Sequence, residues 1–269
     1  AATDHYKEVA ATKKFIIAQK EVTIRSGVAV YDKEYDGTDE AQLNFTGFDD
    51  DSWEGLLDKD KETVKTALAN VAKGDKGYIT YTAKFAEDSS TNTAAKDVKW
   101  GRNASYQKVV EDKTVEISGY AIDYSKEDTP DVLYNYVIAN NGNTATGKAK
   151  ITPKQISVSG ITAKDKVYNG SRDVELIIPE SEKMIKGLVG KEKLSLNITG
   201  KFADAPGVEP EDVVLDDGKP AAKEVTLIYD NDSIIAGDTS TKAANYKLKV
   251  KTDTDGRPDR KSGSAGMPR

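Results

Sequence analysis

The chain contains no cysteine among its 269 residues. That excludes disulfides, thiolate metal sites, cysteine nucleophiles and thioester chemistry. Its single histidine, His5, stands near the start and outside any repeated feature, a poor place for the base of a catalytic triad. No apolar run approaches the roughly 20 residues that a membrane span needs. No signal-peptide pattern is visible either. There is no basic stripe interleaved with aromatics, and a net charge of −6 repels nucleic acid on average. Acidic residues number 45, so carboxylate pairs arise by abundance alone, and no spacing marks out a glycosidase pair. The chain therefore reads as a non-enzyme, with no nucleic-acid partner and no membrane insertion by this segment.

What it does have is repetition. Asp32-Lys33-Glu34-Tyr35-Asp36-Gly37 returns as Asp165-Lys166-Val167-Tyr168-Asn169-Gly170. Asp, Asn and Gly tolerate left-handed backbone, so Tyr35, Asp36, Gly37 and Tyr168, Asn169, Gly170 read as two tight structural turns. The tyrosine of each is expected to pack over a sheet end, with its hydroxyl capping a backbone group. Before each turn runs an alternating strand, Glu21-Val22-Thr23-Ile24 and Gln155-Ile156-Ser157-Val158. After each comes another, Ala41–Phe45 and Val174–Ile178. Tyr81–Asp88 then aligns with Asn197–Asp204, Ala94–Val98 with Ala221–Val225, and Asn135-Tyr136 with Asn245-Tyr246. The first copy is longer, and its extra residues are expected on surface loops.

Hydrophobic residues make up 37% and charged residues 31%, which suits a soluble chain with modest cores. Residues 60–73 place Val64, Ala67, Leu68 and Val71 at helical spacing. Residues 180–189 do the same with Met184, Ile185, Leu188 and Val189. Both are expected as short crossover helices in the same slot of the two copies. The expected divisions are a lead-in over 1–13, a first module with insertions over 14–152, a second module over 153–251, and a flexible tail or linker over 252–269. Lys14–Lys20 resembles Lys148–Lys154, each a strand leading into the next module. The segment is thus expected to be a piece of something larger.

The repeated turns, the connection Ile151-Thr152-Pro153-Lys154 and the closing Asn-Tyr pairs resemble tandem YDG domains, modules that recur in large bacterial surface and adhesin-like proteins. The resemblance covers about residues 14–251 and is strongest over 148–250. It implies an all-β fold of two tandem Ig-like β-sandwich-type modules in an extracellular protein, and no catalytic residues.

Two kinds of binding residue stand out. Calcium is the one possible cofactor, since it takes six to eight oxygens, which loop carboxylates and carbonyls can supply. Asp49, Asp50 and Asp51 are the foremost candidates, with Asp58/Asp60, Asp230/Asp232 and Asp253/Asp255 behind them. Solvated turn acids are the plainer reading. Carbohydrate or host-protein binding points to Trp53, Tyr106, Tyr120 and Tyr124, aromatics of the longer copy that can stack on a sugar or anchor an interface. The plainer reading of Trp53 and of Trp100 is core, and it is favoured for Trp100. A Lys–Asn amide crosslink through Lys154 and Asn245, or Lys20 and Asn135, is a further reading of a chain without disulfides. The leading expectation is a structural spacer at the cell surface, with neighbouring repeats of the parent chain as partners. The second is a module that binds glycan or host protein through the first copy's inserted loops.

Overall fold

The computed structural model describes residues 13–24, 29–45, 53–69, 77–139, 145–204, 207, 209–249 and 264–265. The first elements are β1 (Lys20–Ile24), β2 (Ala29–Val30), β3 (Lys33–Glu34), β4 (Leu43–Asn44), β5 (Trp53–Glu54) and α1 (Asp58–Ala69). Then come β6 (Ile79–Phe85), β7 (Trp100–Arg102), β8 (Lys108–Val110), β9 (Lys113–Ile122), β10 (Tyr136–Ile138) and β11 (Ala145–Ala149). β12 (Ile151–Thr152), β13 (Lys154–Val158), β14 (Thr162–Ala163), β15 (Asp173–Val174), β16 (Leu176–Ile177), α2 (Ser181–Met184) and β17 (Ile185–Lys186) follow. The last are β18 (Leu194–Leu196), β19 (Thr199–Phe202), β20 (Leu215–Asp216), β21 (Lys219–Pro220), β22 (Val225–Ile228), β23 (Ile234–Ala236), β24 (Tyr246–Leu248) and β25 (Ser264–Ala265). The protein is thus mainly β, with two α-helices among the described residues. Neither is long and apolar enough to cross a membrane.

The chain packs as two compact units, each made of separate stretches. The first is Ala1–Val30, Gln42–Ala83 and Glu116–Gly147; the second is Tyr31–Ala41, Lys84–Val115 and Lys148–Arg269. The sequence expectation is of modules over 14–152 and 153–251. The packing units cut across the first of them.

In the first unit β1 is the centre of a three-stranded sheet. β10 lies parallel to it, with Lys20, Glu21 and Val22 opposite Tyr136, Val137 and Ile138. β5 lies antiparallel, with Ile24 opposite Trp53. β2 and β4 form a small antiparallel pair. The core gathers Val22, Ile24, Leu43, Phe45, Trp53, Leu68, Ile79, Tyr81 and Ile117. Helix α1 forms because Val64 and Leu68, one turn apart, are both buried. Asp58 and Asp60 in its first turn also favour the positive end of the helix dipole. Strand β9, whose first three residues count with the second unit, buries Lys113, Val115 and Ile117, then shifts phase to bury Tyr120 and Ile122. The shift falls at Gly119, whose φ of 68° is open to glycine.

In the second unit β13 holds the centre. β24 is parallel to it, with Lys154, Gln155 and Ile156 opposite Tyr246, Lys247 and Leu248. β17 is antiparallel, with Val158 opposite Ile185. β14 pairs with β16, β18 with β23, and β7 with β8. A four-stranded sheet runs β15-β19-β22-β25. β12 lies parallel to β3, so the strand that leads into the first Tyr-Asp-Gly turn packs against Ile151–Thr152.

Several expectations are corrected. The helix expected over 180–189 is one turn, Ser181–Met184. Ile185 leaves it as extended backbone to pair with β13, and Gly187 further weakens any helix there. The two helices also occupy different slots, since α1 follows β5 whereas α2 precedes β17. The strand expected over 174–178 is split between β15 and β16, which belong to different sheets. Ala94–Val98 forms turns, whereas Ala221–Val225, aligned with it above, leads into β22.

Candidate functional site: a buried tyrosine–carboxylate junction

Within the second unit, β3 delivers the first Tyr-Asp-Gly turn. Lys33 N donates to Lys150 O at 3.0 Å and Tyr35 N to Thr152 O at 2.8 Å. Asp36 Oδ1 accepts from Thr38 N at 2.9 Å and from Lys33 Nζ at 2.8 Å. Burial of Asp36 works to raise its pKa, but these hydrogen bonds outweigh it and hold the carboxyl below its ordinary value. Lys33 also lies 5.8 Å from the centre of the Phe85 ring.

This scaffold buries Tyr35 to 1% exposure. Its hydroxyl donates to Glu192 Oε1 at 2.5 Å, and the Tyr246 hydroxyl donates to Glu192 Oε2. The two rings meet edge to face, 5.5 Å apart. Val189 N closes the cluster by donating to the Tyr246 oxygen at 3.0 Å. Burial, and then the Glu192 carboxylate holding the proton, push both tyrosine hydroxyls well above the usual range.

Beside it lies a second buried group. Asn245 Oδ1 accepts from Val98 N at 2.9 Å, and Asn245 Nδ2 donates to Asp97 Oδ1 at 2.8 Å. Asp97 Oδ2 lies 2.6 Å from Lys242 Nζ. Trp100 Nε1 donates to Ala244 O at 2.8 Å. Lys113, 2% exposed, gives its ammonium protons to the carbonyls of Ala94, Ala95 and Asp97. Burial pulls its amine down to about 8, against the opposing pull of Asp97 and Asp88. The polar atoms named in both clusters are engaged within the chain, Asp97 Oδ2 through its ion pair with Lys242 rather than a hydrogen bond. Their chemistry is adhesive: they lock the residues around Tyr35 and Asp97 onto those around Glu192 and Asn245.

The two turn motifs fare differently. Asn169 Oδ1 accepts from Ser171 N at 3.1 Å, so the second turn keeps the same local chemistry. Lys166 lies over Phe202 as Lys33 does over Phe85. Yet Tyr168 is 58% exposed. The expected backbone cap also differs at Tyr35, whose hydroxyl finds a carboxylate.

The aromatic binding residues do not form a platform. Trp53 is buried on β5 opposite Ile24, and Tyr120 is buried on β9, so neither ring can face a sugar. The Tyr124 hydroxyl donates to Tyr136 O, and its ring stacks on Tyr134 at 5.7 Å. Tyr106 remains open, at the end of the β7–β8 hairpin with a φ of 60°. Trp100 is half-buried rather than core, with Lys108 Nζ 4.5 Å above its ring.

Asp49, Asp50 and Asp51 lie outside the described residues, as do Asp253 and Asp255. Among the described residues no group of three acidic or histidine side chains could hold a metal ion. Asp230 caps the turn at Ser233, and Asp60 accepts from Tyr136. The crosslink pairs are not buried triads. Lys154 is part-exposed near Glu34, Lys20 and Asn135 are exposed, and the Asn245 amide is already held by Val98 and Asp97.

Sequence reasoning missed Glu192, Asp97 and Lys113. The signal for Glu192 was an acid three residues after an apolar position, Val189 to Glu192, repeated as Leu57 to Asp60.

Residues 152–254 match the model of the YDG domain. The match takes in the second turn, the Val189–Glu192 loop and the closing pair Asn245-Tyr246. No curated protein and no solved structure matches the chain.

Proposed function

We propose that this chain is a spacer: two copies of a YDG-type, Ig-like module in series, forming a stalk segment of a bacterial cell-surface or secreted adhesin-like protein. The tandem reading is supported by equal registers around β1 and β13. Lys20 faces Tyr136 as Lys154 faces Tyr246, and Ile24 faces Trp53 as Val158 faces Ile185. The small pairs agree too, with Val30 opposite Leu43 and Ala163 opposite Leu176. Tyr136 donates to Asp60 and accepts from Leu57 N, as Tyr246 does with Glu192 and Val189 N. Lys223 is clasped by the carbonyls of Glu209, Pro210 and Asp212 with the spacing of the Lys113 clasp. That clasp aligns Asp97 with Asp212, and so replaces the alignment of Ala94–Val98 with Ala221–Val225.

The observation that carries the spacer reading is the parallel pairing of each module's first and last strands. Tension on the chain pulls β1 and β10, or β13 and β24, in opposite directions along their length. Their hydrogen bonds are then loaded together in shear, whereas a hairpin opens one bond at a time. Pulled by its ends in a force spectrometer, the chain should give resolved unfolding peaks. Featureless extension would overturn the proposal. The ligand-binding reading retains Tyr106. Binding of the chain to a glycan or matrix-protein array, lost in Tyr106→Ala, would favour it over the spacer.

A further inference from the structure

The junction that covers Tyr35 has two bare counterparts, one around Tyr168 and one around Ile17. With the modules aligned through the registers above, Tyr168 takes the place of Tyr35, Val167 of Glu34, Val213 of Val98 and Leu215 of Trp100. Tyr35 is 1% exposed and Val98 5%, but Tyr168 is 58%, Val213 52%, Leu215 62% and Val167 89%. Four apolar side chains are thus uncovered where the first copy's equivalents grip the second copy. Val167, Tyr168 and Val213 line one cleft, and exposed apolar groups gathered in this way mark interaction surfaces.

The complementary face shows the same contrast. Counting back from Lys154 and Lys20, Ile151 corresponds to Ile17 and Ala149 to Phe15. Ile151 and Ala149 are buried, at 0% and 2%, whereas Ile17 is 96% exposed and Phe15 83%. Asn245 is buried in the clasp of Asp97 and Val98, whereas its counterpart Asn135 is exposed. The face is otherwise built, because Tyr136 already holds Asp60 as Tyr246 holds Glu192.

We propose that the Tyr168 face of one chain docks the Ile17 face of a second copy of this chain, head to tail. The proposal rests on the tandem reading, since that reading supplies the correspondence. Ile17 of the second copy adds as a parallel strand beside Lys166 and Val167, as Ile151 does beside Lys33 and Glu34. Tyr168 reaches the Asp60 carboxylate, the counterpart of Glu192. Asp212 and the Val213 N–H receive the Asn135 amide, the counterparts of Asp97 and Val98. A junction within one chain works at an effective concentration on the order of mM, so the docking between chains is weaker than its covalent model. The net charge of −6 per chain also opposes it, and salt relieves that repulsion. Because the two faces differ, the contact is heterologous, and a docked pair keeps one face of each kind for a further copy.

Sedimentation of the whole chain over a concentration series tests this. The average mass should rise with concentration past that of a dimer, and rise further with added salt. Tyr168→Ala with Leu215→Asp removes one face, and Ile17→Asp removes the other. All three positions are exposed, so each variant should keep the wild-type circular dichroism. Each variant alone should stay monomeric, and an equimolar mixture of the two should recover association and stop at the dimer. A wild type that stays monomeric throughout, or association that survives either variant, overturns the docking. Tyr35→Ala, followed by urea unfolding, separates the two failures. Loss of stability there with a monomeric wild type rejects the docking and leaves the tandem junction standing. A monomeric wild type together with an unaffected Tyr35→Ala rejects both.

Discussion

A half-buried carboxylate that holds the protons of two buried tyrosines is costly to disturb. Glu192 is such a group, and Tyr35→Phe removes one of its donors while keeping nearly all of the ring packing. The loss should be about 1–3 kcal/mol, the usual worth of a hydrogen bond to a charged group. Tyr168→Phe makes the same chemical change on an exposed ring and should stay within about 0.5 kcal/mol. Urea unfolding of both variants beside the wild type decides it, and equal losses would mean that the Glu192 contact contributes nothing. The same residues set the response to alkali. Tyr35 and Tyr246 are raised in the folded state, so above pH about 10 the unfolded chain releases protons that the folded chain keeps, and stability falls. Lys113 works in the opposite sense. Its folded value is about 8 against 10.5 unfolded, so between these the unfolded chain holds more protons and stability rises with pH. Lys113→Met should flatten the rise and Tyr246→Phe should soften the fall. Unchanged slopes in urea titrations across that range would show that neither group is linked to folding.

At the level of elements, the sequence was readable wherever local pattern and tertiary demand agreed. The alternation of Val22 and Ile24, and of Ile156, placed β1 and β13 correctly, because each strand has one face in a core. The turn after Asp36 followed from side-chain chemistry that needs no distant partner. Helix α1 was legible from Val64 and Leu68, though it begins at Asp58 rather than at residue 60. The helix over 180–189 was not, because Met184, Ile185, Leu188 and Val189 are apolar at both helical and strand-compatible spacings. Pairing with β13 then chose the strand at Ile185. Trp53 shows the same limit on a single residue. A tryptophan after an acidic loop reads equally as ligand platform or core, and only the opposing Ile24 decides. The candidate site was half visible. Tyr35 and Asn245-Tyr246 carried a repeated signature, but Glu192 and Asp97 look like any surface acid until the fold brings them to those partners.

For the whole molecule, the boundary drawn by sequence and the boundary drawn by packing ask different things of a fragment. The YDG match begins at residue 152, yet the unit that contains it recruits Tyr31–Ala41 and Lys84–Val115 from upstream. A fragment of residues 148–269 keeps β13, β17 and β24 with their pairings. It loses β3 beside β12, the ring of Tyr35 against Tyr246, and the Asp97–Val98 clasp on Asn245. Ile151, wholly buried in the intact chain, would then be uncovered. Lost apolar cover and lost hydrogen bonds together suggest a penalty on the order of 2–4 kcal/mol. The fragment should therefore fold, but unfold at clearly lower urea than the intact chain when followed by circular dichroism. Both tryptophans, Trp53 and Trp100, lie upstream of it, so tryptophan fluorescence cannot report on the fragment. Equal midpoints would mean that the sequence module is self-sufficient and that the upstream residues merely rest against it. A lower midpoint, restored when residues 31–115 are present in the intact chain but not when Tyr35 and Asp97 are both replaced by alanine, would assign the deficit to the junction itself.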